Sequence, residues 1–99
     1  MEILEEKVHI WIDSARFVKP KSGIYVLYDK KLEAIYIGES DNLQAQFSKY
    51  LDGQFQDEPC KQKTYAYQRA FTENHKERKS LLLDAFCKKY GHAPCCNSD

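Results

Sequence analysis

Two short runs constrain this chain more than anything else in it. Gly23-Ile24-Tyr25-Val26-Leu27-Tyr28 is β-branched and aromatic with no charge, and Ala34-Ile35-Tyr36-Ile37 follows after a polar connection. Side chains of this kind suit a pleated, buried surface. Two such runs joined through Asp29-Lys30-Lys31 predict an antiparallel hairpin, with Gly38 ending the second strand. The hairpin needs a third strand and covering helices to be stable in water, and the remainder of the 99 residues can supply both.

Ser40 or Asp41 can cap a helix from about Asn42 to Leu51, whose Leu43, Phe47, Tyr50 and Leu51 share one face. Gln46 falls on the sheet side of that helix. Asp52-Gly53 ends it, and a polar loop leads to about Lys61. Alternation from Lys63 to Ala70 predicts another strand. Thr72-Glu73-Asn74 precedes a second helix with Leu82, Leu83, Phe86, Cys87 and Tyr90 on its apolar stripe, stopped by Gly91 and Pro94. Before the hairpin, Val8-His9-Ile10-Trp11-Ile12 alternates as a strand would, and a short helix from about Leu4 is the other reading. The expected class is therefore α+β: a small three-stranded antiparallel sheet flanked by helices. Residues 1–22 are expected to form an N-terminal extension packing on a domain spanning 23–97.

Charge limits the function. Fifteen basic and fifteen acidic side chains cancel, whereas a protein that grips nucleic acid by bulk charge is clearly basic. Any such contact must be local or assisted by a partner. Lys76, Arg78, Lys79, Lys88 and Lys89 gather on the last helix, and Lys19, Lys21, Lys30 and Lys31 near the hairpin, either as phosphate contacts or as solvated faces. No apolar run approaches the ~20 residues of a membrane span. The acidic start (Glu2, Glu5, Glu6) lacks the character of a secretory signal, so a cytoplasmic location is expected. The four cysteines, at 60, 87, 95 and 96, are accordingly expected to be reduced thiols. The spacing of Cys87, His92, Cys95 and Cys96 matches no closed zinc pattern.

Gly23-Ile24-Tyr25 and Tyr36-Ile37-Gly38, with ten residues between them, resemble the paired tripeptides of the GIY-YIG nuclease superfamily. Ser40-Asp41-Asn42-Leu43 before a helix and Pro94-Cys95-Cys96-Asn97 near the end extend the similarity over residues 23–97. The resemblance implies endonuclease activity on DNA with one divalent ion, Mg²⁺ or Mn²⁺. It also implies a site built from both motif tyrosines, an arginine on the first helix, a metal-binding glutamate on the last helix and a late asparagine. Here those positions are Tyr25, Tyr36, Gln46 in place of arginine, Asp84 in place of glutamate, and Asn97. A shifted register would bring Glu77 forward instead of Asp84.

Each residue type suits its implied role. A phenol can orient or deprotonate water, a carboxylate suits a hard cation that polarises a phosphoryl oxygen, and guanidinium neutralises transition-state charge. Arginine fingers are worth about 10³–10⁵ in rate, so Gln46 implies impaired cleavage. The alternative is a catalytically inactive module on the same fold, binding nucleic acid or protein. In either case targeting is expected to need homo-oligomerisation or another protein. Glu39, directly after the second motif, is read as a metal ligand, as a charge that repels phosphate or as a solvated turn carboxylate, and Asp84 equally as a surface partner of Lys88.

Overall fold

The computed structural model describes residue 4, residues 6–53, residue 55 and residues 58–97. Glu2 and Glu5, and Gln54, Gln56 and Asp57 of the expected polar loop, lie outside them.

Four antiparallel strands form one sheet: β1 (His9–Ile10), β2 (Gly23–Tyr28), β3 (Ala34–Ser40) and β4 (Ala66–Phe71), in the order β1-β4-β2-β3. The expected three-stranded sheet is thus corrected to four. The additional strand is the two-residue β1, pairing His9 with Tyr67 and Ile10 with Ala66. The alternation over residues 8–12 does not continue as a strand. From Trp11 the backbone turns helical, as α1 (Trp11–Ser14) and a 3₁₀ turn at Ala15–Phe17. This buries Trp11 against Phe47, Phe55 and Tyr67 at ring separations of 4.9–5.6 Å and leaves Ile12 74% exposed.

Strand β2 is the centre of the sheet and every residue in it is buried, which is why its sequence is apolar on both alternations. Tyr25 and Leu27 face α2 (Leu43–Gly53), in a cluster with Trp11, Leu43, Phe47 and Tyr50. Ile24, Val26 and Tyr28 face the other way, with Ile37 and the α3 residues Leu82, Leu83 and Phe86 (α3, His75–Tyr90). The β2–β3 turn is closed by Asp29, whose Oδ1 accepts from the Lys31 and Glu33 amides at 3.0 Å each.

Asn42, not Ser40 or Asp41, caps α2: its Oδ1 accepts from the Ala45 amide at 3.0 Å. Ser40 supports Asn42 instead, accepting its amide at 3.1 Å. Gly91, at φ +80°, ends α3 and donates to the Cys87 carbonyl at 2.8 Å, the left-handed stop that glycine makes easily. Beyond it the tail returns along the outer edge of β3. Cys96 N–H donates to the Ile35 carbonyl at 2.8 Å, and the Asn97 side chain pairs with Ile37. A sheet edge that would otherwise offer unpaired backbone groups is closed.

That returning tail overturns the expectation of reduced thiols throughout. It brings Cys96 to Cys60, on a 3₁₀ turn at Pro59–Lys63, and the two are disulfide-bonded with a Cα–Cα distance of 5.6 Å. Cys87 lies outside the bridge, half-buried near the end of α3. Among the described residues no helix is long and apolar enough to cross a membrane.

Candidate active site

The motif tyrosines lie on neighbouring strands with ring centroids 5.9 Å apart. Gly38, the register partner of Tyr25, makes room for them. A Cβ at Gly38 would stand 2.4 Å from Tyr25 Cζ and 2.6 Å from both the Tyr25 hydroxyl and Tyr36 Cε2. Gly23 is hemmed in likewise, its Cβ position falling 2.3 Å from the Ala70 carbonyl oxygen. Both motif glycines are thus places where another chain segment occupies the side-chain volume.

The two phenols differ in access. Tyr25 is 1% exposed, and its hydroxyl shares a 2.8 Å hydrogen bond with that of Tyr50. Burial, then the neighbouring Tyr50 and Tyr36, push its pKa well above the ordinary phenol range, while a hydrogen bond from Gln46 pulls it down. Tyr25 therefore stays a protonated hydroxyl that fixes its neighbours. Tyr36 is only partly buried, so it is the phenol a substrate can reach. Gln46 is half-buried on α2, close enough to Tyr25 to lower its pKa; it brings no charge.

A charge arrives from elsewhere. Lys61 is only 7% exposed, and its ammonium lies 3.7 Å from the centroid of the Tyr36 ring. It donates to the Tyr50 hydroxyl at 3.2 Å and to Glu58 at 2.6 Å. Burial acts to lower its pKa, but Glu58, Tyr50 and Tyr36 together outweigh this and raise it. A cation over an aromatic face, shielded from water, is held by the ring quadrupole. Tyr25, Tyr50 and Lys61 thus form a hydrogen-bonded chain ending against Tyr36. Tyr50 and Lys61 are functional candidates that the motifs do not reveal. Tyr50 was legible only as a core position of its helix, and Lys61 carried no sequence signal of burial.

Asn97 spends both ends of its side-chain amide on Ile37, accepting from its N–H at 2.7 Å and donating to its carbonyl at 2.9 Å. It fixes the backbone between Tyr36 and Gly38. Glu39 is bonded to Nδ1 of the buried His75, whose Nε2 lies 2.8 Å from Asp41. Glu39 is therefore tied to the start of α3. Asp84 is exposed on α3 and pairs with Lys88 at 3.0 Å. Glu77 is also exposed, in the first turn of the helix. Lys79, from the same helix, places its ammonium 6.0 Å from the Tyr36 ring centroid, so α3 borders the accessible phenol. Leu81, matched to the family's apolar run, is 61% exposed while Leu82 and Leu83 turn inward. A surface cleft lined by Trp11, Ile12, Leu51, Phe55 and Tyr65 reaches this site only through Tyr50.

A magnesium-class ion keeps most of its water and takes one or two carboxylates plus substrate phosphate oxygens. Asp84 has the donor chemistry such an ion takes, an accessible carboxylate on α3, but in this structure it is paired with Lys88 on the exposed face of that helix. Among the described residues, the one cluster of three or more potential ligands is Cys60, Cys95 and Cys96, too soft for such an ion.

Comparison with solved structures decides the architecture. The GIY-YIG N-terminal endonuclease domain of UvrC from Thermotoga maritima, bound to magnesium as its catalytic divalent cation, superposes with a TM-score of 0.63. The similarity covers 87% of this chain and 93% of that one at 21% identity. This chain has a GIY-YIG-like fold. A point mutant of the same domain, bound to its catalytic divalent cation, gives a TM-score of 0.62 at 17% identity, covering 87% and 92%. No family model matches the chain, and no curated protein does. Within this GIY-YIG-like framework the tyrosine pair lies on the central strand β2 and the neighbouring edge strand β3.

Proposed function

We propose that this chain is a GIY-YIG-type endonuclease domain that hydrolyses DNA phosphodiesters with one divalent ion, at a rate held down by Gln46. The observation that carries this reading is the buried Lys61 ammonium, held by Glu58 and Tyr50, 3.7 Å from the ring of the accessible phenol Tyr36. In this reading Tyr36 orients the attacking water or accepts its proton. Tyr25 and Tyr50 hold it in place, and Lys61 offsets charge gathering on the phosphate. Gln46 supplies the amide that positions Tyr25, and Asn97 holds the β3 backbone on which Tyr36 sits. Asp84 would hold the ion, Mg²⁺ or Mn²⁺, which when bound polarises the phosphoryl oxygen. The absence of net charge implies local contacts, Lys79 among them, and a second copy or another protein to bring the domain to its DNA.

A second reading, a binding module without chemistry, is favoured by Asp84 already being paired with Lys88. Nicking of supercoiled DNA in Mn²⁺ separates the two. The nuclease reading expects slow, metal-dependent nicking that Tyr36→Phe reduces by about 10² or more, the scale of losing one preorganised group. Binding without nicking favours the module, and nicking unchanged in Tyr36→Phe removes Tyr36 from the reaction.

A further inference from the structure

Adjacent cysteines rarely serve one ion from sequence considerations alone, yet the fold adds a third sulfur to the pair. Cys95 Sγ lies 3.9 Å from Cys60 Sγ and 3.9 Å from Cys96 Sγ, and all three sulfurs fall within 4.8 Å of one another. With zinc–sulfur bonds of ~2.3 Å, two thiolates on one tetrahedral ion stand about 3.8 Å apart. Two of the three edges of a three-sulfur face are thus already at chelating separation. Cys60 and Cys96 are at bonding distance as a disulfide, and once reduced they relax to ordinary non-bonded separation, completing the third edge. Cys95 is exposed and Cys96 buried, so the face opens outward on one side, where water can take the fourth position.

We propose that Cys60, Cys95 and Cys96 form a three-thiolate site for Zn²⁺ or a similarly soft divalent ion, available when the Cys60–Cys96 bridge is reduced. A dithiol or phosphine reductant supplies the two electrons that cleave the S–S bond. The dithiol becomes a disulfide, or the phosphine, with water, its oxide, and Cys60 and Cys96 each gain a proton. Binding then displaces three protons to solvent and forms three metal–sulfur bonds. The ligands sit next to Lys61 and Asn97 in the chain, so the loaded metal ties together the same two segments that the disulfide joins. The site is independent of the nuclease reading, since its donors are sulfur and its chemistry needs no DNA.

The test is titration of the full chain with Cd²⁺ and Co²⁺, reduced and kept anaerobic, followed by their thiolate charge-transfer bands and by Zn²⁺ competition. One equivalent is expected to saturate the bands. Cys95→Ser, at an exposed position outside the bridge, is expected to weaken binding at least about 100-fold, beyond what altering the surroundings of a metal costs. Cys87→Ser, outside the cluster, is expected to bind as the parent does. No charge-transfer band at one equivalent, or a Cys95→Ser titration matching the parent with both proteins folded by circular dichroism, overturns the proposal.

Discussion

The two faces of the central sheet each bury a polar group, and they use it in opposite ways. On the α3 face, Gln68 is fully buried. It accepts from the Tyr28 hydroxyl and the Leu4 amide and donates to the Leu4 and Glu6 carbonyls. Every bond of that neutral amide closes on the protein itself. On the α2 face the buried polar group is Lys61, a cation whose bonds run through Tyr50 and Glu58 and whose ammonium covers the partly open Tyr36 ring. A buried neutral amide with its bonds satisfied specifies structure at modest cost. A buried cation is costly to desolvate and is retained where neighbours hold it, here facing the one motif phenol that solvent reaches. The difference separates a face whose buried amide is closed on the protein from one whose buried cation borders a partly open phenol.

The contrast can be broken most severely at Gly38, where the aromatic face tolerates no added atom. Gly38→Ala is expected to lose about 3 kcal/mol, the upper end of overpacking costs, because the Tyr25 ring it meets is itself enclosed. Urea denaturation measures this. On the opposite face, Gln68→Leu leaves buried partners unsatisfied and should cost about 2–3 kcal/mol in the same assay, with the Tyr36 environment unchanged in aromatic NMR spectra. Lys61→Met should cost about 2 kcal/mol and, unlike Gln68→Leu, shift the Tyr36 ring resonances.

Alkaline titration sharpens the comparison further. Both Tyr25 and Lys61 have folded-state pKa values raised above their unfolded ones, so the native state keeps protons that the unfolded chain gives up. Their stabilisation is complete below about pH 10 and is lost as pH rises beyond it. Tyr25→Phe is expected to flatten that alkaline decline. The smallest effect belongs to Asp84→Ala: its pair with Lys88 is exposed on both sides, so thermal stability should not change measurably, whereas Mn²⁺ affinity should fall if Asp84 holds the ion.

Periodicity and turn chemistry made the hairpin, both long helices and the Gly91 stop legible, although β3 runs past Gly38, its expected end, to Ser40, where Gly23 and Ile24 give it partners. Residues 8–12 misled because alternation suits a strand, while burying Trp11 beneath α2 requires the chain to turn after Ile10. Asn42 displaced Ser40 and Asp41 as the cap by starting the helix one residue late. The edge closure by Asn97 and the Cys60–Cys96 bridge span 60 and 36 residues of sequence respectively, and nothing local announces either. Lys61 was the least legible: in a polar stretch a lysine belongs to solvent, and its burial depends on Tyr36 and Tyr50 arriving from two other places in the chain beside the local partner Glu58. The spacing from the second motif, by contrast, puts Gln46 where the resemblance implies an arginine.

Residue 46 is the position on which the proposed cleavage depends most. The decisive measurement is the Mn²⁺-dependent rate of DNA nicking by Gln46→Arg beside the parent chain, both shown to be folded. Restoring a guanidinium next to Tyr25 should raise the rate at least about tenfold. Equal rates in the two proteins, or none in either, would contradict a phosphodiester-cutting site limited by its missing cation.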